Sequence, residues 1–309
     1  MNKALRNWPF LIVAILLTAA VIAFVYNSAR PRYGTAARLV GLLPQSDAVL
    51  FYADITALRH SGFLNFLGTA KSAEDPDYQR FVAETGFAYQ RDLDAIAVAS
   101  VPNQLFAVAR GRFNWQRLIQ YAGEHGGHCK NRFCQSPASQ RGKWISFFPV
   151  RSDIIGVAVS ADANAAYELS PREGVPDLHP PDFPVWAEVP RRILDQPDSL
   201  PPAVQVLARA LSSAASVTIG ISQAPSSGPG SALNIRLIAV CDSEIEANNV
   251  RDHLTQLTTM FRNLIARNQP PSTTPDLARL FTSGVFLTKG KNVDGDWIVP
   301  RPVVDSLFQ

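Results

Sequence analysis

The pattern of apolar and polar positions divides the chain into one unbroken apolar run and a long alternating body. Residues Pro9 to Tyr26 carry no charged side chain. A helix of that composition satisfies its backbone inside hydrocarbon, where no water is available, so the pattern predicts a transmembrane helix. Residues 27–42 read as a polar linker, because Pro31 and Gly34 interrupt a helix. A strand is predicted over Ala48–Asp54, after the turn-like Pro44-Gln-Ser-Asp47. Helices follow over Thr56–Phe66, with Leu58, Phe63, Leu64 and Leu67 on one side, and from Asp75 through Glu84, with Tyr78, Phe81 and Val82 as the buried stripe.

Strands Leu93–Ser100 and Leu105–Arg110 flank a turn. Asn114 is placed to cap a helix carrying Trp115, Leu118, Ile119 and Ala122 that stops at Gly126-Gly127. A cysteine-bearing loop leads to strands Trp144–Val150 and Ile154–Val159 and a short closing helix over Ala161–Leu169. Five prolines between Ser170 and Pro184 mark a second linker. The order of elements then repeats: a strand from Val185, a helix over Pro201–Leu211, a hairpin of Ser216–Ser222 and Leu233–Cys241, a long helix over Ser243–Arg267, strands Val285–Lys289 and Trp297–Val299, and a closing helix over Val303–Phe308. In this register Asp54 and Glu188 occupy matching positions.

The expected fold class is α+β. An N-terminal tail and transmembrane signal anchor over 1–32 precede two tandem ferredoxin-like (split β-α-β) units, 33–169 and 185–309. These have mostly antiparallel sheets covered by helices, a linker over 170–184, and room for the two units to share one sheet. Leu43-Pro-Gln-Ser-Asp-Ala-Val-Leu-Phe-Tyr-Ala-Asp54, Thr85-Gly-Phe-Ala-Tyr-Gln-Arg-Asp-Leu-Asp94 and Arg110-Gly-Arg-Phe113 carry a resemblance, mainly over residues 40–160. The chain resembles exported bacterial proteins with one N-terminal membrane helix and a duplicated α+β body. That resemblance implies an exported location and no known activity.

Length favours an uncleaved anchor over a cleaved signal peptide, which remains the alternative. Val21 and Ala23 sit where a signal peptidase reads, but the run of 18 residues exceeds a usual signal core and approaches the ~20 that a span needs. Lys3 and Arg6 before the run nearly balance Arg30, Arg32 and Arg38 after it. A large domain is exported largely regardless of charge, so the expected placement is single-pass in the bacterial inner membrane, N-terminus cytoplasmic and body periplasmic. The bilayer is then one partner, through residues 9–26.

Composition narrows the function classes. With 47% hydrophobic and 18% charged residues the body buries a core and is not a disordered chain. Removing the four cations Lys3, Arg6, Arg30 and Arg32 from the net charge of +3 leaves −1 for residues 33–309, which withdraws the electrostatic support a nucleic-acid binder needs. Locally, Arg110, Arg112, Arg117, Lys130, Arg132, Arg141 and Lys143 stand against one acid, Glu124. Gathered on one face they would suit an anionic lipid, a glycan or an acidic envelope protein; scattered, they are a solvated surface.

Cys129 and Cys134 suit a disulfide in an oxidising compartment, the alternative being a zinc site of His125, His128, Cys129 and Cys134. Cys241 reads as a small buried hydrophobe. Asn292-Val-Asp-Gly-Asp296 is a turn and lacks the twelve-residue pattern of a calcium loop. No nucleophile elbow, phosphate loop or zinc-protease signature occurs. Asp54 and Glu188 are the remaining catalytic candidates, as a carboxylate pair in a cleft, against the plainer reading that each caps the helix after it. The expected function is therefore an anchored extracytoplasmic interaction or ligand-binding protein without catalytic activity or cofactor; the alternative is an envelope hydrolase using those carboxylates.

Overall fold

The structure is a computed structural model that describes residues 33–61, 76–169, 180–199, 202–224, 232–268 and 283–300. Twelve strands join in one sheet: β1 Val49–Asp54, β2 Leu93–Val101, β3 Gln104–Gly111, β4 His128–Lys130, β5 Phe133–Pro137, β6 Trp144–Arg151, β7 Ile154–Ser160, β8 Val185–Pro190, β9 Ala214–Gln223, β10 Ala232–Cys241, β11 Val285–Lys289 and β12 Asn292–Pro300. Their order is β11-β12-β10-β9-β8-β1-β2-β3-β7-β6-β5-β4. Every ladder is antiparallel.

Two separate ferredoxin-like units are thus replaced by one continuous sheet. The halves meet edge to edge at β1 and β8, where Leu50 faces Glu188 and Tyr52 faces Trp186. Outward from that joint the first half runs β1-β2-β3-β7-β6 and the second β8-β9-β10-β12-β11, so corresponding strands take corresponding places, and the β4–β5 hairpin extends the first half alone. A strand, helix, strand pattern suggests a parallel crossover, but here the helices after β1 return the chain to pair antiparallel beside it. Local periodicity fixes an element's type and leaves its partner open.

Cross-strand partners share a face, which gives the sheet a front, carrying Tyr52 and Trp186, and a back. In the first half both faces are covered. On the front, helix α1, Tyr33–Val40, sets Leu39 and Val40 against Ala97, Ala99 and Phe106; the small β2 side chains let the helix approach closely. A 3-10 turn at Ala165–Glu168 closes the same side, with Leu169 against Gly156. On the back lie α2 Ile55–His60, α3 Pro76–Thr85, the one-turn α4 Tyr89–Asp92 and α5 Trp115–Glu124, whose Leu118 packs with Ala53, Leu58, Ala109 and Ile155. In the second half α6 Arg191–Leu194, α7 Pro202–Ala210 and α8 Glu244–Asn268 pack on the back, burying Leu211, Val217, Leu237, Ala247, Val250, Leu254 and Val293.

Three local expectations are corrected. Residues 33–40, read as linker, form α1, because Ala36, Leu39 and Val40 find an apolar floor the sequence does not display. The cysteine loop is the β4–β5 hairpin, turning at Asn131 and Arg132, both with positive φ. The closing helix over 161–169 is reduced to the 3-10 turn. The apolar segment 9–26 and the helix expected over 303–308 lie outside the described residues, so the expected N-terminal transmembrane helix has no counterpart in the described fold. Among the described residues, no helix is long and apolar enough to cross a membrane.

Candidate functional site

Asp54 ends β1 and caps α2: its Oδ1 accepts from the Ala57 amide at 2.8 Å. Glu188 lies opposite Leu50, four ladder positions away, about 13 Å along the strands at ~3.3 Å per residue. The pair that glycoside hydrolysis requires, with carboxyls roughly 5–9.5 Å apart, is not assembled, and one member is committed to a helix amide. Glu188 itself is half-buried; burial raises its carboxyl above the ordinary range, opposed by a hydrogen bond with Ser216.

Cys129 and Cys134 face each other across the hairpin, Cα atoms 4.0 Å apart, and their sulfurs are bonded. Two positive-φ residues at the turn give the two-residue loop that places them opposite. The sulfurs lie on the back, where Cys129 meets the Ile119 carbonyl of α5. His125 stacks on Tyr121 with centroids 4.1 Å apart, and its Nε2 is 3.7 Å from Glu84. Among the described residues, no three His, Cys, Asp or Glu side chains are arranged to hold a metal ion.

The seven cations do not share a face. Arg110 lies 4.0 Å from Asp94, and Arg112 reaches both Asp92 and the Arg91 carbonyl. Arg91 holds the Asp92 carboxyl below the ordinary range, and the Ala88 amide and Arg112 assist. Arg117 sits in the first turn of α5. Arg132 occupies the β4–β5 turn with Lys130 beside it, whereas Arg141 and Lys143 lie in the β5–β6 turn, at the opposite end of those strands. A shallow depression between residues 111–115 and the β6–β7 turn, lined by Arg112, Asn114, Trp115 and Asp153, is braced by Trp115 Nε1 donating to the Ser152 carbonyl at 3.2 Å.

What the sequence reading missed is the front of the second half. Register places Trp186, Gly220, Arg236 and Asp296 in one row across β8, β9, β10 and β12, and Glu188, Thr218, Ile238 and Asp294 in the next. The helices of this half lie on the other side. Asp294 bridges Arg236 at 3.3 Å and Lys289 at 3.1 Å. Val285, Leu287 and Ile298 stand exposed beside them, the last two at 58% and 60%. The signal was present in β9 and β10, where Thr218, Gly220, Ser222, Asn234 and Arg236 alternate with Ile219, Ile221, Ile235 and Leu237.

No family profile matches the chain, and no curated protein sequence does. Among solved structures the chain is similar to crystal forms III, IV and I of TP0453. Identities are 8%, 8% and 9%, each TM-score is 0.45, and the matches cover 87%, 87% and 86% of this chain and 96%, 95% and 95% of the other. At that level of similarity the matches say nothing about activity, and no family is assigned.

Proposed function

We propose that the chain is a non-catalytic binding module of the cell envelope, held at the membrane through its apolar N-terminal stretch with the body on the extracytoplasmic side. One observation carries the binding role: the front of β8–β12 presents acids, bases, amides and exposed apolar side chains together, while the helices of that half stabilise the sheet from behind. A surface built only to be solvated has little use for Val285, Leu287 and Ile298 at high exposure beside an ordered ion-pair row. The Cys129–Cys134 disulfide supports the location, since such bonds persist where the environment oxidises. The separation of Asp54 from Glu188 removes the main support for the hydrolase alternative.

The test is photo-crosslinking in intact cells from a reactive residue at Ile298, on the front, or at Val204, on α7 behind the sheet. The reading expects a discrete adduct from position 298 that Leu287→Lys abolishes, and none from position 204. Equal adducts from both positions, or none from 298, would remove it.

A further inference from the structure

Among the described residues, three polar atoms on the front of the second half are buried without a hydrogen-bonding partner: Trp186 Nε1, Arg236 Nε and Asn234 Oδ1. Trp186 is 1% exposed and stacks on Tyr52 with ring centroids 5.9 Å apart. Trp186, Gly220 and Arg236 are successive partners across β8, β9 and β10, so the outer two stand two strand spacings apart, about 10 Å. Asn234 is the next front-facing residue on β10, roughly 7 Å from Arg236. In the middle, the Phe183 ring lies directly on Gly220, where any Cβ would collide with it. Phe183 thus sits on the row between Trp186 and Arg236, with Asn234 next along β10, and an aromatic hydrocarbon offers no partner to two N–H donors and one amide oxygen; buried polar groups left so are costly.

We propose that the notch at Gly220 is a recognition site for an aromatic residue of an extended peptide from a protein partner, and that Phe183 is a built-in occupant that the partner's aromatic side chain displaces. The proposal rests on the binding-module reading above and gives it an address and a ligand class. The atoms select the chemistry. Peptide carbonyls can accept from Trp186 Nε1 and from Arg236 Nε, and a peptide N–H can donate to Asn234 Oδ1; two donors and one acceptor are the complement of the amides that flank one peptide side chain. Charge selects against an anion. Glu188, Asp294 and Asp296 share this face with Arg236 and Lys289, and Asp294 already engages both cations. A neutral amide meets the donors without repelling those acids. The notch also suits an aromatic side chain, because Phe183 already fits it and only glycine at position 220 leaves room.

The experiment titrates the full chain with N-acetyl-L-phenylalaninamide, which carries a phenyl ring and two neutral amides, and with 3-phenylpropanoate, which carries the ring and a carboxylate. Binding is followed at the Trp186 indole N–H resonance, identified by its loss in Trp186→Phe. Phe183→Ala is expected to bind the amide at least tenfold more tightly than wild type, with a downfield shift of that resonance. Adding Asn234→Ala should return most of the gain, and the carboxylate should bind at least fivefold more weakly than the amide. Should Phe183→Ala fold poorly, Phe183→Leu keeps an apolar contact on Gly220 and is expected to bind several-fold more tightly than wild type. A folded Phe183 variant that binds no better, or an indole resonance that does not move, overturns the proposal. If the Ile298 crosslink nevertheless persists, the notch alone is refuted; if both fail, the binding-module reading falls with it.

Discussion

Replacing Trp186 by alanine tests whether the two halves are one folding unit. Its indole is 1% exposed at the β1–β8 joint, stacked on Tyr52 and part of the larger core cluster. An indole buries about 200 Å², worth about 5 kcal/mol at ~25 cal/mol per Å². Against that, Trp186 Nε1 has no partner among the described residues, and an unsatisfied buried N–H costs about 1–3 kcal/mol, which the substitution also removes. The net expectation for Trp186→Ala is a loss of about 3 kcal/mol. With a urea m-value of about 3 kcal/mol per M for a body of this size, the midpoint falls by about 1 M. With Trp8→Phe in place throughout, emission read in a Trp297→Phe background reports the first half, through Trp115 and Trp144. Emission read with Trp115→Phe and Trp144→Phe in place reports the second, through Trp297. Because the sheet is continuous, both readings should move together. Trp186→Phe discriminates further: it keeps the ring stacking and discards the unpartnered N–H, so it should stay within about 1 kcal/mol of wild type. A second-half transition that stays in place while the first moves would refute the single-sheet reasoning. So would a Trp186→Phe loss as large as that of alanine.

Other outcomes follow from single contacts. Asp54→Ala should cost about 1 kcal/mol in thermal unfolding and Asp54→Asn much less, because the carboxylate acts as an N-cap acceptor. Reduction of Cys129–Cys134, which closes a short loop, should lower stability by about 2 kcal/mol, read as a reductant-dependent fall in Tm absent from Cys129→Ser/Cys134→Ser. Glu188 has a folded-state pKa raised by burial, so its protonated form favours the fold and its contribution is lost as pH rises. Glu188→Gln should therefore match wild type below about pH 4, in the ordinary carboxylate range, and become the more stable of the two toward pH 7.

Much of the element order was legible in the sequence. Val285–Lys289 matches β11 at both ends, and Asn114 caps α5 through Oδ1 to the Arg117 amide. Those features depend on side chains near in sequence. The β4 and β5 strands are short, three and five residues, and carry no sustained alternation, so their hairpin read as a loop. The basic cluster looked coherent because its members are close in sequence; hairpins send Arg132 and Arg141 to opposite ends of the same strands. The β1–β8 joint was hidden for a deeper reason. Register between strands some 130 residues apart is set by packing on both faces of the finished sheet, and no local window contains that information. The same limit applied to Asp54 and Glu188, whose similar sequence contexts suggested proximity that antiparallel pairing denies.

The claim that the second-half front is a binding face is tested most directly by thiol-labelling rates in cells. Single cysteines would replace Val285, Leu287 and Ile298 on the front, and Val204 and Ile245 on the helices behind. All five are exposed in the isolated fold, Ile245 at 74%. In intact cells the three front positions should label severalfold more slowly than in the purified protein, while Val204→Cys and Ile245→Cys label alike in both. Front positions that label equally fast in cells and in isolation would contradict it.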